Sequence, residues 1–210
     1  NVPVQSHLSE NHGEIDWVAA LHPEAANYTD VYYEHHLMGK VPTVMAHCIH
    51  LSDVEMDRMA ETQTMVSHCP YSNVNLSSGI APIRKLFERK IPIGLGSDIS
   101  GGHIVSMAKV LTEAIGLSKM KWVEVDQTYA PLTLSEAFYM ATKGGGKFFG
   151  KVGSFEKGCE LDALVIDDTT LFDPNERSLE ERLERWLYIG DDRHIVERYI
   201  AGKVAPEPTN

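Results

Sequence analysis

Four short apolar runs, each closed by a histidine or an aspartate, constrain this chain more than any other feature. The runs are Val2 to Ser6, Thr43 to Ala46, Thr64 to Ser67 and Ile91 to Leu95, and His7, His47, His68 and Asp98 stand at or just beyond their carboxyl ends. Each run is β-branched and too short for a surface helix, and longer segments of helical period separate them, the pattern of parallel βα units. In such folds the loops at the carboxyl edge of the sheet converge while the strands fix the side chains, so that edge holds the site. Four residues able to bind metal or move protons, all at that edge, point to one catalytic rim.

The helical segments carry their own start signals. Ser52 with Glu55, Thr133 with Glu136 and Ser178 with Glu181 fit the capping box, in which side chains satisfy orphan amides of the first turn. Pro82 suits the first turn of a helix with Ile83, Leu86 and Phe87 on one face. Ile15, Val18 and Ala19 mark a helix after the first strand, and Leu179, Leu183, Trp186 and Leu187 the stripe of a late one; both stripes read as core. Near residue 150 the texture changes. Gly144 to Gly146 are expected to interrupt a helix, Leu161 to Ile166 alternates like a strand, and Val196 to Ile200 offers another. The expected organisation is an α/β domain over residues 1–150 and a small β element over 151–210.

Composition narrows the function classes. Nineteen Lys plus Arg against 30 Asp plus Glu give a net charge of −11, which repels phosphate backbones and anionic lipids, so neither nucleic acid nor a membrane is an expected partner. No apolar stretch approaches the ~20 residues of a membrane helix. Three cysteines without CxxC spacing argue against a disulfide framework or zinc ribbon and fit a cytoplasmic location. The chain opens without Met, directly in a strand-like segment, which suggests the later part of a longer protein.

At the rim, His7 and Glu10 form H-x-x-E without a second His four residues on, so this is not the helical zinc-protease motif. Alone the pair is more often a polar turn. A strand-end His can nevertheless offer a ring nitrogen to a metal while the carboxylate after it carries a proton. GLGSD at Gly94 to Asp98 delivers a carboxylate on a glycine-flanked strand end; a helix N-cap is the rival reading, but Ser100 and Ser106 can serve as caps instead. Asp98 with strand-end histidines suits a divalent ion such as zinc, with iron the less favoured alternative. Cys48 and Cys69 follow motif histidines and so point the other way along their strands, as packing residues. Of the remaining histidines, His103, after the glycines that follow Asp98, is the least settled.

Taken together, QSHLSEN, VMAHC, SHCPYSNVNLSSG, GLGSDISGG and YIGDDR resemble the guanine deaminases of the amidohydrolase superfamily, from about residue 4 to about residue 204. The resemblance implies a zinc-dependent (β/α)8 TIM-type barrel flanked by a small β-sandwich, one zinc per site, homodimers, and hydrolysis of guanine to xanthine and ammonia. It assigns His7 and Asp98 to the metal, Asp98 also to the proton of the attacking water, Glu10 to proton transfer onto the purine ring, and His47 to positioning the water and the developing tetrahedral centre. His68 receives no defined role; packing or a supporting hydrogen bond is as fitting as substrate contact.

One departure from the family is large: its H-x-H metal ligands on the first barrel strand have no counterpart, since no H-x-H occurs in the 210 residues. Adjacent His35 and His36 cannot substitute, because H-x-H places both rings on one face of a strand. Four strands are also half of a barrel's eight. The expectation is therefore the second half of the barrel with part of the sandwich. The missing ligands would lie in an upstream segment, and the 210 residues alone would be inactive. The competing expectations are an amidohydrolase acting on another heterocycle and a non-catalytic half-barrel serving as a binding module.

Overall fold

The computed structural model describes residues 2–206. In chain order it contains β1 (Val4–Leu8), α1 (His12–Leu21), α2 (Tyr28–Glu34), β2 (Thr43–His47), α3 (Asp53–Thr62), β3 (Met65–His68), α4 (Pro70–Asn75), α5 (Ile83–Glu88), β4 (Ile93–Leu95), α6 (Met107–Glu124) and α7 (Leu134–Tyr139). A π-helical turn (Met140–Gly144) follows, and then β5 (Ala163–Ile166), α8 (Leu179–Ile189), β6 (Ile195–Ile200) and β7 (Lys203–Val204). Strands β1 to β4 form one parallel sheet in sequence order, and β5 to β7 a separate antiparallel one.

The alternation of side chains across the pleat explains the parallel sheet. Leu8, Met45, Val66 and Ile93 are buried with Met56 and Met59 of α3, Leu86 of α5 and Leu111 of α6 in one core, where each large side chain contributes roughly 1.5–3 kcal/mol of burial. On the other face Gln5 and His7 are exposed and Val44, Ala46 and Ser67 half-buried. The ladder pairs His7 with Ala46, Leu8 with His47 and His68 with Leu95. Strand β1 thus lies two residues later than its apolar pattern suggests, because His7 and Leu8 still have rungs to occupy.

All three capping boxes form, at Ser52, Thr133 and Ser178. Other local expectations are corrected. Helix α1 buries none of its residues, so its stripe of Ile15, Val18 and Ala19 is not core among the described residues. Pro82 is the N-cap of α5 rather than part of its first turn. Gly144 to Gly146 do not interrupt the helix; it runs on through the π turn, which lies against β4. A Cβ at Gly144 would sit 2.7 Å from the Ile93 carbonyl oxygen, and one at Gly94 2.9 Å from the Gly145 Cα. These glycines allow helix and strand to approach more closely than any side chain permits. Helix α8 is tied to α6 by Lys109, whose Nζ donates to the carbonyls of Leu187 (3.2 Å) and Tyr188 (2.8 Å).

Candidate active site

The carboxyl ends of β1 and β2 and the loop after β4 bring Glu10, His7, His47 and Asp98 together around one imidazole. His47, 1% exposed, turns its Nε2 toward Glu10 Oε2 at 3.6 Å and Asp98 Oδ2 at 3.9 Å. Both distances exceed hydrogen-bonding range, so a water or ligand atom has polar groups on three sides there. The His7 ring stacks on His47 with centroids 5.4 Å apart and planes 14° from parallel.

The backbone at this rim is unusual. Ser9 (φ 49°), His47 (φ 69°), Cys48 (φ 52°) and Asp98 (φ 44°) all adopt left-handed conformations, which cost non-glycine residues energy and concentrate at functional sites. Pairing with Leu8 alone would put His47 on the covered face, and its left-handed φ breaks the pleat's alternation where the ring meets His7. Asp98 is held in a tight turn, its carbonyl accepting from the Gly102 N–H at 2.7 Å. A Cβ at Gly101 would lie 2.7 Å from Asp98 Oδ2, so glycine there leaves the carboxylate room. Asp98 caps no helix; Ser106 occupies the N-cap of α6 without a side-chain hydrogen bond.

Two supporting residues were not singled out by the sequence reading, although both lie in the stretch SHCPYSNVNLSSG. Asn73, fully buried on α4, has its Oδ1 2.9 Å from His47 Nδ1. Ser78 Oγ donates to Glu10 Oε1 at 2.9 Å, and the Ser78 carbonyl accepts from His50 Nε2 at 2.8 Å. Their residue types were the available signal: a buried amide and a hydroxyl within one short segment after β3.

His68 stands apart from this group. It is buried, its Nδ1 has no hydrogen-bond partner, and burial, with His47 nearby, pushes its pKa down to about 3, so the ring is neutral near pH 7. Cys48 and Cys69 are buried, and burial raises both thiols, Cys69 to about 11; they pack in the interior as expected, but from positions just beyond the ends of β2 and β3, where strand alternation no longer applies. His103 is exposed and meets Tyr71 edge-on at 5.0 Å.

The donors fit a borderline divalent metal in kind, an imidazole nitrogen from His7 and a carboxylate oxygen from Asp98. They fall short in number: among the described residues no three His, Cys, Asp or Glu side chains are grouped to hold an ion. Likewise, no helix among the described residues is long and apolar enough to cross a membrane.

Comparison with known proteins places the chain in a family. The chain is 42% identical over 206 residues to a guanine deaminase of Dictyostelium discoideum, covering 95% of this chain and 45% of that relative. Its fold superposes with a TM-score of 0.93 on a guanine deaminase from C. acetobutylicum with guanine in the active site, at 52% identity, covering 97% of this chain and 48% of that one. It superposes at 0.80 on an adenosine deaminase from Xanthomonas campestris with bound zinc, at 25% identity, over 97% of this chain and 45% of that one. The chain thus spans about half the length of the relatives it matches. The amidohydrolase family pattern matches residues 1–205, and the chain belongs to the amidohydrolase family.

Proposed function

We propose that these residues form the proton-transfer side of a zinc-dependent guanine deaminase, which hydrolyses guanine to xanthine and ammonia. The observation that carries the proposal is the convergence of two carboxylates, Glu10 and Asp98, on His47 Nε2, with neither paired to a Lys or Arg among the described residues. Similarity to a guanine-bound deaminase supports the substrate. His7 and Asp98 would hold the metal. When bound, zinc supplies a Lewis acid that lowers the pKa of water from about 15.7 toward ~7 to 9.

The chain's own residues then divide the work. Attack at the amino-bearing carbon disrupts the purine's aromaticity, and protonation of the adjacent ring nitrogen by Glu10 Oε2 relieves that cost. Glu10 Oε1 is occupied by the Ser78 hydroxyl, so Oε2 is the oxygen that cycles. Asp98 takes the proton of the attacking water and helps return it to the leaving ammonia. His47 Nε2, within 4 Å of both carboxylates, orients the water and the tetrahedral centre.

On this reading residues 1–150 are the second half of a (β/α)8 barrel and 151–210 part of a flanking β-sandwich. The remaining metal ligands, an H-x-H pair, come from polypeptide outside these 210 residues. A homodimeric, cytoplasmic enzyme fits the family resemblance. The test is to assay the whole protein carrying this chain on guanine, adenine, cytosine and a triazine, before and after chelation. Turnover of guanine that chelation removes and zinc restores is expected, with residues 1–210 alone inactive. Turnover of another heterocycle instead would transfer the site to a different amidohydrolase. A protein with neither turnover nor metal would be a binding module.

A further inference from the structure

We propose that Asn73 is a positioning residue that sets the tautomer of His47, holding the ring proton on Nδ1 and leaving Nε2 bare toward Glu10 and Asp98. An imidazole's protonated nitrogen is decided by the hydrogen bond its other nitrogen makes. Here only one such bond is short enough to count: Asn73 Oδ1 lies 2.9 Å from Nδ1, while the carboxylates near Nε2 stand at 3.6 and 3.9 Å. An amide oxygen accepts and cannot donate, so Nδ1 must carry the hydrogen. Nε2 then presents a lone pair to the space where a water would sit.

Asn73 is itself held firmly. Its N–H donates to the Cys69 carbonyl at 3.1 Å and its carbonyl accepts from the Ser78 N–H at 2.8 Å. The backbone of this one residue therefore links the loop that orients Glu10 to the side chain that orients His47. Its Nδ2 is buried without a partner, a state that costs free energy. A residue present only for packing would avoid that cost, since an apolar side chain of similar volume has no donor to bury. A reversed amide would instead put Nδ2 on Nδ1 and force the proton to Nε2. Nε2 would then turn a donor toward Glu10 and Asp98, and the wild-type 15N spectrum separates the two orientations.

The consequence for turnover rests on the deaminase reading, whereas the tautomer does not. The test uses the whole protein carrying this chain, with 15N-labelled histidine, and compares wild type with Asn73→Leu and Asn73→Asp. Wild type is expected to show a protonated Nδ1 and bare Nε2 at His47. Asn73→Leu should move the proton to Nε2 and lower kcat about 10- to 100-fold, the scale of losing a histidine's orienting partner, with KM within about twofold. Asn73→Asp keeps an oxygen acceptor and should restore the Nδ1-protonated ring. A bare Nδ1 in wild type would overturn the proposal without any variant. So would an Asn73→Leu protein that keeps both its tautomer and its kcat, or one in which only KM rises. If Asn73→Leu fails to fold, the wild-type and Asn73→Asp spectra still decide the matter. The expected tautomer in a protein that does not turn over guanine would refute the deaminase reading and leave the Asn73 assignment standing.

Discussion

At the rim of the parallel sheet, His47, His68 and Asn73 are polar side chains with almost no solvent contact, and two of them leave a buried polar atom unpaired. Around the β5–β7 sheet the polar residues form surface ion pairs whose arginines stay at least partly exposed: Arg182 with Asp168, Arg177 and Arg185 with Asp173, Arg193 with Asp191. The rim accepts left-handed backbone at Ser9, His47 and Asp98; in the small sheet the only left-handed non-glycine residue among the described residues is Ala201, in the β6–β7 turn. A buried polar group without a partner is costly and a solvated pair is nearly free. The first region therefore spends stability on geometry, and the second has little geometry to protect.

The sharpest way to break that contrast is Glu10→Gln in the whole protein. The amide keeps the shape and an acceptor for Ser78 but cannot cycle a proton, so kcat should fall by ~10² or more while bound metal, measured by elemental analysis, stays at the wild-type level. Loss of the metal would make Glu10 a ligand instead. The second contrast is in packing. Leu86→Ala, at a fully buried position under the parallel sheet, should cost about 2–5 kcal/mol in denaturant unfolding. Leu164→Ala on β5, 52% exposed, should stay within ~0.5 kcal/mol. Equal effects would mean the two sheets share one kind of core.

Acid titration resolves two groups within the parallel-sheet region, His68 at its rim and Glu136 on α7. His68 has a folded pKa of about 3 against an ordinary 6.5, so below pH 6.5 the unfolded chain binds a proton that the folded chain refuses. The stabilisation is complete above pH 6.5 and erodes as pH falls toward 3, by up to ~1.4 kcal/mol per pH unit. Glu136, held at about 2 chiefly by its hydrogen bonds to Arg84, contributes above its ordinary 4.5 and loses that contribution as pH falls toward 2. His68→Leu should flatten the upper limb and leave the lower one. Unfolding midpoints followed from pH 7 to 2 measure this, and an upper-limb slope unchanged by the substitution would remove His68 as its source.

How much of this was legible in the sequence follows from the same physics. Strands β1 to β4 and the capping boxes are local signals, set by β-branched runs and by side chains that bond amides three residues away, and they could be read directly. The rim residues were legible because strand ends converge in parallel sheets. Asn73 and Ser78 were not, because their partners lie 26 and 68 residues away, and nothing in SNVNLSSG says which side chain turns inward. The apolar stripe of α1 misled for the opposite reason: periodicity gives a face, but only tertiary contact says whether that face is covered. Gly144 to Gly146 misled because glycine permits a break and close approach equally, and here β4 passing beneath decides for approach.

The smallest effect is expected where the hydrogen bonds look best. Arg182 donates from Nε and Nη2 to the two carboxylate oxygens of Asp168, both at 2.7 Å, and that contact, opposed only weakly by burial, holds the Asp168 carboxyl below its ordinary range. Its contribution is present above the ordinary carboxylate pKa and fades as pH falls through the lowered one. Yet Arg182 is 52% exposed, so water competes for every donor and salt screens the charge. Arg182→Gln should leave guanine turnover unchanged in the whole protein and move the unfolding midpoint barely or not at all, with any difference vanishing near ~1 M salt, where the Debye length is about 3 Å. A midpoint loss as large as that of Leu86→Ala, persisting in salt, would show that this pair anchors the small sheet by packing of the arginine stem rather than by charge, and the contrast between the two regions would have to be redrawn around α8.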